Sequence, residues 1–209
     1  MTSYLTLARD ATAEIEVKRS RFLCTLRRVG DEGAARAVVA EQRALHWGAR
    51  HHCSAFVIGP RSEVQRSSDD GEPAGTAGAP MLEVLRGAEV SDVAAVVTRW
   101  FGGTLLGAGG LVRAYSDAVR GAVAEAGLLR RTLLTELALD LDHADAGRVE
   151  GELRSRGVLV LHVAYDARVR MLLAAAPEGA ARLDGLVAAA TGGQARPVVV
   201  GERWVDAVG

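Results

Sequence analysis

Residues 12–29, TAEIEVKRSRFLCTLRRV, alternate between apolar and polar positions closely enough to predict two strands. Phe22, Cys24 and Leu26 then share one inner face. DEGAARAVVAEQRALHW (31–47) follows with helix formers and carboxylates in its first turn, which predicts a helix. HHCSAFVIG (51–59) predicts a strand ended by Gly59-Pro60. The polar residues 60–73 predict a loop. GTAGAPMLEVLRGA (75–88) predicts a short helix and VAAVVTRWF (93–101) a buried strand. GGTLLGAGG (102–110) is a glycine loop, and GLVRAYSDAVRGAVAEAG (110–127) a long amphipathic helix closed by Gly127.

Near residues 128–135 the pattern resets. LLTELALDLD (133–142), a helix over 143–156, VLVLHVAY (158–165), ARVRMLLAAA (167–176), a helix over 177–190 and ARPVVVGERWVDA (195–207) give β-α-β-β-α-β, the order of a ferredoxin-like unit. The boundary is placed near residue 130, giving domains of 1–130 and 131–209, with Arg130-Arg131 as a solvated joint or a hinge.

Composition narrows the function classes. With 209 residues, about half of them apolar, and a formal net charge of −1, the chain is globular and has no global field for nucleic acid or membrane. Any polyanion contact needs a local basic patch. No cationic-then-apolar leader opens the sequence and no 18-residue apolar run occurs, so a soluble cytoplasmic protein without membrane contact is expected. Cys24 and Cys53 lie in strand-like runs without CxxC spacing and are expected as buried thiols.

Three polar clusters fall in the first domain. In the last of them Gly102, Gly103, Gly107, Gly109 and Gly110 permit close backbone approach ahead of a helix N-terminus, and Arg99 and Arg113 flank them. That arrangement suits an anion, or simply a strand turning sharply into a packed helix; neither a P-loop nor GxGxxG is present. His51 and His52 are adjacent and point to opposite faces of a strand, and without HExxH or paired cysteines no metal or other cofactor is expected. Ser67, Ser68 and Cys53 have no nucleophile-elbow context, and no catalytic constellation emerges. Asp69 and Asp70 either serve as caps or accept bonds from Arg50, Arg99 or Arg113, with Glu72-Pro73 as ordinary helix-start chemistry, or the three carboxylates gather round a ligand.

Taken together, ARHHC (49–53), SDDGEPAGTAGAPM (68–81) and RWFGGTLLGAGGLVRAY (99–115) resemble the signature segments of the YigZ/IMPACT family, in order and in spacing. The resemblance covers roughly residues 14–128, and the second half resembles the small C-terminal domain of bacterial members. It implies an α+β fold. The first domain would be a β-α-β domain with a left-handed crossover, like ribosomal proteins and elongation factor G domain IV. The second would be ferredoxin-like, as in elongation factor G domain V. Eukaryotic members are translational regulators, so the expected partner is the ribosome, RNA or a ribosome-associated protein. The alternative is an enzyme acting on a phosphorylated or nucleotide-like small molecule at the glycine loop. On the binding reading the contact residues are Arg50, His51, His52, Asp69, Asp70, Gly71, Glu72, Pro73, Thr76, Arg99, Trp100, Gly102, Gly103, Gly109, Gly110 and Arg113. Arg50, His51, Arg99 and Arg113 would meet phosphates and Trp100 would stack on a base. Trp100-Phe101 stands where two tyrosines are common in the family, so a chemical role for hydroxyls there is not expected.

Overall fold

The computed structural model describes residues 1–176 and 179–207. They divide into two compact units, Ser3–Arg130 and a second from Arg131 onward.

In the first unit the elements are β1 (Ser3–Leu7), β2 (Ala11–Val17), β3 (Ser20–Arg28), α1 (Glu32–Leu45), β4 (His51–Ile58), β5 (Val64–Ser68), α2 (Gly78–Gly87), β6 (Val93–Trp100) and α3 (Ala108–Ala126). The sheet runs β2-β3-β6-β4-β5 and every pairing is antiparallel. Because β3 and β4 both run opposite to β6, they run the same way as each other. β3-α1-β4 is therefore a β-α-β crossover split by the later strand β6.

Both faces of the sheet are covered, which explains why β6 is apolar from Val93 to Val97 rather than alternating. On one face Phe22, Cys24, Leu26, Cys53 and Val97 pack against Met81 and Leu85 of α2 and Tyr115 and Val119 of α3. On the other, Phe56, Ile58, Ala94 and Val96 pack against Ala35 and Val38 of α1. Asp31 caps α1, its carboxylate accepting from the Ala34 N–H at 2.8 Å.

The second unit holds β7 (Leu128–Leu141, entered from the first unit), α4 (His143–Ser155), β8 (Leu159–Tyr165), β9 (Val169–Ala175), α5 (Ala180–Thr191) and β10 (Val198–Asp206). Its antiparallel order β10-β7-β9-β8 is that of the ferredoxin-like β-α-β-β-α-β unit. Leu137, Leu139 and Leu141 meet Val149 and Leu153 of α4 and Leu183 and Val187 of α5.

Several elements differ from the sequence expectation. The 60–73 stretch contains β5, which reads as a loop because VQRSS is a mostly solvent-facing edge strand with almost no apolar side chain to place. Strand β1 was not anticipated. Arg130 and Arg131, where the two units divide, lie within strand β7. α3 begins at Ala108, so Gly109 and Gly110 belong to its first turn. Positions 177 and 178, expected to open the last helix, lie outside the described residues.

The β2–β3 hairpin turns through Lys18 and Arg19 alone, since Val17 pairs with Ser20. Gly102 sits directly against that turn: a Cβ there would lie 2.0 Å from the Arg19 carbonyl carbon and 2.3 Å from the Ser20 nitrogen. Its N–H donates to Ser20 Oγ at 3.1 Å. Gly109, by contrast, faces open space. We predict that Gly102→Ala destabilises the unit by about 1–3 kcal/mol through overpacking. Gly109→Ala should be neutral or stabilise by about 0.5–1 kcal/mol as a helical substitution. Equilibrium urea unfolding of the two variants separates these roles.

Candidate functional site

The strand registers gather the three polar clusters at one end of the first sheet. Arg21 pairs with Trp100, His51 with Arg99, and Ser54 with Ser68. The 18–19 turn, the start of β4, the acidic loop after β5 and the glycine loop after β6 therefore share that end. α1 ends there, and α2 and α3 begin there.

The carboxylates of the loop are turned inward. Asp69 accepts from the backbone N–H groups of Ala77 at 3.0 Å and Gly78 at 2.8 Å through Oδ1, and of Gly75 at 2.8 Å through Oδ2. It thus caps α2 from eight residues before Ala77, the cap position, which offers no side-chain bond of its own. Burial pushes the Asp69 carboxyl up, but the bonds from Gly75, Gly78 and Ala77 outweigh it and hold the pKa below its ordinary value. Asp70 accepts from the Arg43 guanidinium and, at 2.7 Å, from the His52 N–H. Its carbonyl accepts from His51 Nδ1 at 2.9 Å, which places the proton of that ring on Nδ1. Gly71 lies against the same ring, and the Pro73 carbonyl accepts from Thr76 Oγ1 at 2.6 Å.

Glu72 goes deepest. Its Oε1 accepts from Arg99 Nη1 at 2.6 Å and from Tyr115 Oη at 2.7 Å. The Glu72 and Arg99 side chains are only 4% and 7% exposed. Cys53 Sγ lies 3.0 Å from the Asp69 carbonyl oxygen and 3.3 Å from Tyr115 Oη, two acceptors that share its one thiol proton. Burial pushes that thiol up to about 12 and the Tyr115 hydroxyl upward as well, so both remain protonated donors at neutral pH. The Arg99 guanidinium lies 5.3 Å from the Phe22 ring centroid, on the same side of the sheet.

These contacts revise several expectations. Arg99, expected on phosphate, is buried, and Asp69, Asp70 and Glu72 bind neither Arg50 nor Arg113. Trp100, expected to stack on a base, has the Arg21 guanidinium 3.9 Å from its ring centroid and the His46 edge at 5.3 Å. His52 is buried on the α1 face, and its Nε2 has no hydrogen-bond partner among the described residues. Among those residues no three His, Cys, Asp or Glu side chains gather in a metal-binding arrangement.

What faces outward is different. Arg50 and Arg113 are exposed, as are Lys18 and Arg19 at the hairpin tip. None of the four has a carboxylate partner among the described residues; Arg19 reaches only Thr104 Oγ1, at 3.3 Å. Trp47 is 86% exposed just beyond α1, and Leu105 and Phe101 are exposed in the glycine loop. Gly103, with Gly102, continues that loop. Sequence reasoning missed Lys18, Arg19 and Trp47. The signal for the first two was a gap of two cations between alternating runs; a tryptophan at a helix end carries no comparable signal. A groove of about 840 Å³ runs between α2 and α3, lined by Ala79, Pro80, Val84, Val112 and Val123, and takes in none of Asp69, Asp70 or Glu72.

All of this geometry falls within one stretch that matches known proteins. The family model described as the Impact N-terminal domain matches residues 18–123, half of the chain. The chain belongs to the IMPACT family. A second family model, described as a domain of unknown function (DUF1949), matches residues 139–194. The IMPACT family member YvyE of Bacillus subtilis (strain 168) is 42% identical over 167 residues, covering 80% of this chain and 77% of that protein. YigZ of Escherichia coli (strain K12), another IMPACT family member, is 42% identical over 176 residues, covering 83% and 86%. A crystal structure described only as a hypothetical protein superposes with a TM-score of 0.67 at 37% identity, covering 96% of this chain and 98% of that one. The IMPACT match extends from the cationic hairpin tip through the acidic and glycine loops to α3.

Two predictions follow from the buried groups. Arg99→Ala or Glu72→Ala alone should destabilise the unit by about 3–5 kcal/mol, because each leaves one buried charge uncompensated. Replacing both by apolar residues of similar size should recover most of that loss in urea unfolding. Separately, burial pushes the His52 imidazole below its ordinary value, with the Asp70 carboxylate opposing. The unfolded chain then takes up a proton that folded His52 resists. Stability should fall as pH drops below about 6.5 and level off under the lower folded pKa. Thermal melts of the wild type against His52→Gln between neutral and mildly acidic pH should show the steeper decline in the wild type.

Proposed function

We propose that this IMPACT-family protein is a translation-linked binding protein whose first unit contacts ribosomal RNA through the loop end of its sheet. The observation that carries the reading is the segregation of charge there. The carboxylates of the acidic loop are consumed by backbone N–H groups and by buried or neighbouring arginines, whereas Lys18, Arg19, Arg50 and Arg113 face outward without carboxylate partners among the described residues. Phosphates are met by cations of this kind, and the exposed Trp47 ring offers a stacking face beside them. Family membership supports the link to translation, since eukaryotic members regulate it. The cytoplasm, where ribosomes work, is the compartment this reading requires; no helix among the described residues is long and apolar enough to cross a membrane.

The enzyme alternative asks for a free carboxylate beside the glycine loop. Glu72 is instead locked in its pair, Asp69 holds three backbone N–H groups, and Asp70 holds Arg43 and the His52 N–H. No observation favours that alternative over binding.

The test is binding of single-stranded ribosomal RNA fragments across a salt series, with co-sedimentation on whole ribosomes. Affinity should fall steeply with salt. Lys18→Ala/Arg19→Ala should flatten the log–log slope by about 1.4, at roughly 0.7 per phosphate contact. Trp47→Ala should weaken binding by about 1–3 kcal/mol without changing the slope. Arg99→Ala is the wrong probe, because it unsettles the fold. Binding that ignores salt, or protein that stays at the top of the gradient at every salt concentration, sinks the proposal.

A further inference from the structure

Beside the loop end, a groove of about 640 Å³ runs along the first sheet between α1 and the edge strand β5. Its walls follow from the strand register. Phe56 of β4 packs toward α1, so Ser54, two positions earlier, faces the same way. Arg66 pairs with Phe56 and Ser68 with Ser54, which turns both β5 side chains to that face. Across from them Arg36 and Arg43 lie about two turns apart on α1, roughly 10 Å along its axis. Glu32 is the one carboxylate on the lining, at the end of α1 away from the loops.

Two observations mark the groove as a place for an anion. The first is unspent donor capacity. Arg66 has no carboxylate partner among the described residues, and only its Nη1 is used, by the Gln65 carbonyl at 2.9 Å. Arg36 and Arg43 each give a single Nη2 contact, to Glu32 and Asp70, and remain 74% and 53% exposed. The rest of each fork is free to bind, and three guanidiniums against two carboxylates leave the groove positive. The second is Ser54. It is only 8% exposed, yet its hydroxyl makes no hydrogen bond among the described residues. Buried hydroxyls ordinarily find a partner, and this one faces the groove. Opposite it, Ser68 Oγ accepts from the Asp70 N–H at 3.3 Å and keeps its own proton to give.

Forked guanidiniums and hydroxyls together suit a phosphate backbone, and Val39 and Ala40 offer an apolar wall beside them. The groove opens at Arg43, where α1 ends and the chain continues to Trp47 and Arg50. We infer, resting on the RNA reading of the loop end, that this groove is the track on which a bound single strand continues past α1. Arg43, Arg66 and Arg36 hold successive phosphates, and Ser54 and Ser68 donate to the strand's oxygens. Glu32 sets a like charge against further phosphate and closes the track.

Fluorescence anisotropy of the full chain with a single-stranded ribosomal RNA fragment of about twelve nucleotides, across a salt series, tests this. Arg36→Ala/Arg66→Ala should flatten the log–log slope by about 1.4, at roughly 0.7 per phosphate contact. Ser54→Ala should weaken binding about three- to tenfold with the slope unchanged, as loss of one hydrogen bond does. Arg61→Ala, a cation outside the groove, should bind as the wild type does. Thermal melts matching the wild type keep lost binding distinct from unfolding, and Ser54→Ala removes a hydroxyl that holds nothing in the fold. If the groove variants bind like the wild type while Lys18→Ala/Arg19→Ala is weakened, the track is overturned and the loop-end reading stands. If Arg61→Ala flattens the slope as much as each groove arginine does, the track is likewise overturned, because charge alone then explains the effect. Wild-type protein that binds no RNA, or binds it regardless of salt, overturns both.

Discussion

The loop end of the first unit is organised around one buried ion pair, Glu72 with Arg99. Glu72 comes from the loop after β5, Arg99 from the central strand β6, and Tyr115, which shares the same Oε1, from α3. One carboxylate oxygen therefore joins loop, sheet and helix. Desolvating both charges is unfavourable, and the arrangement holds because the pair is supplemented by the tyrosine hydroxyl and by aromatic rings beside the guanidinium. With the loop drawn in at Glu72, its neighbours fall into place: Asp69 over the start of α2 and Asp70 between Arg43 and β4.

The consequence is a local charge balance unlike the global one. A net charge of −1 suggests no preference for a polyanion. At this end, however, the acids serve the interior and the unpartnered cations face solvent. A signature that looks acidic in sequence belongs to a surface that is basic in space. The second unit contributes something of a different kind, an antiparallel sheet with an apolar stretch on one edge.

Much of this was legible in the sequence. The alternation in residues 12–29 located the β2–β3 hairpin, the unbroken apolar run of 93–97 marked a strand buried on both faces, and the reset near 130 led to the β-α-β-β-α-β order. The same period of two already held the correction for Arg99: counting from Val93 through Ala95 and Val97 places it on the face that packs against α2 and α3, not on a binding surface. Tyr115, in an apolar helical stripe with Leu111, Ala118 and Val119, similarly needed a partner for its hydroxyl. What could not be read was pairing across distance. Asp69 caps a helix whose start is nine residues on, and β5 is held as a strand by its ladder to β4 rather than by apolar side chains of its own.

The hairpin tip carries a consequence for how far this protein can be stabilised. Lys18 and Arg19 both have left-handed backbone, with φ of 48° and 65°. A two-residue hairpin turn of that geometry favours Asn-Gly, and long side chains there are held at roughly 1 kcal/mol or more of conformational disadvantage. Consensus redesign of the turn would therefore raise the melting temperature while erasing two unpartnered cations. Thermal robustness and surface charge compete for the same two positions, and the natural sequence has resolved the competition in favour of charge.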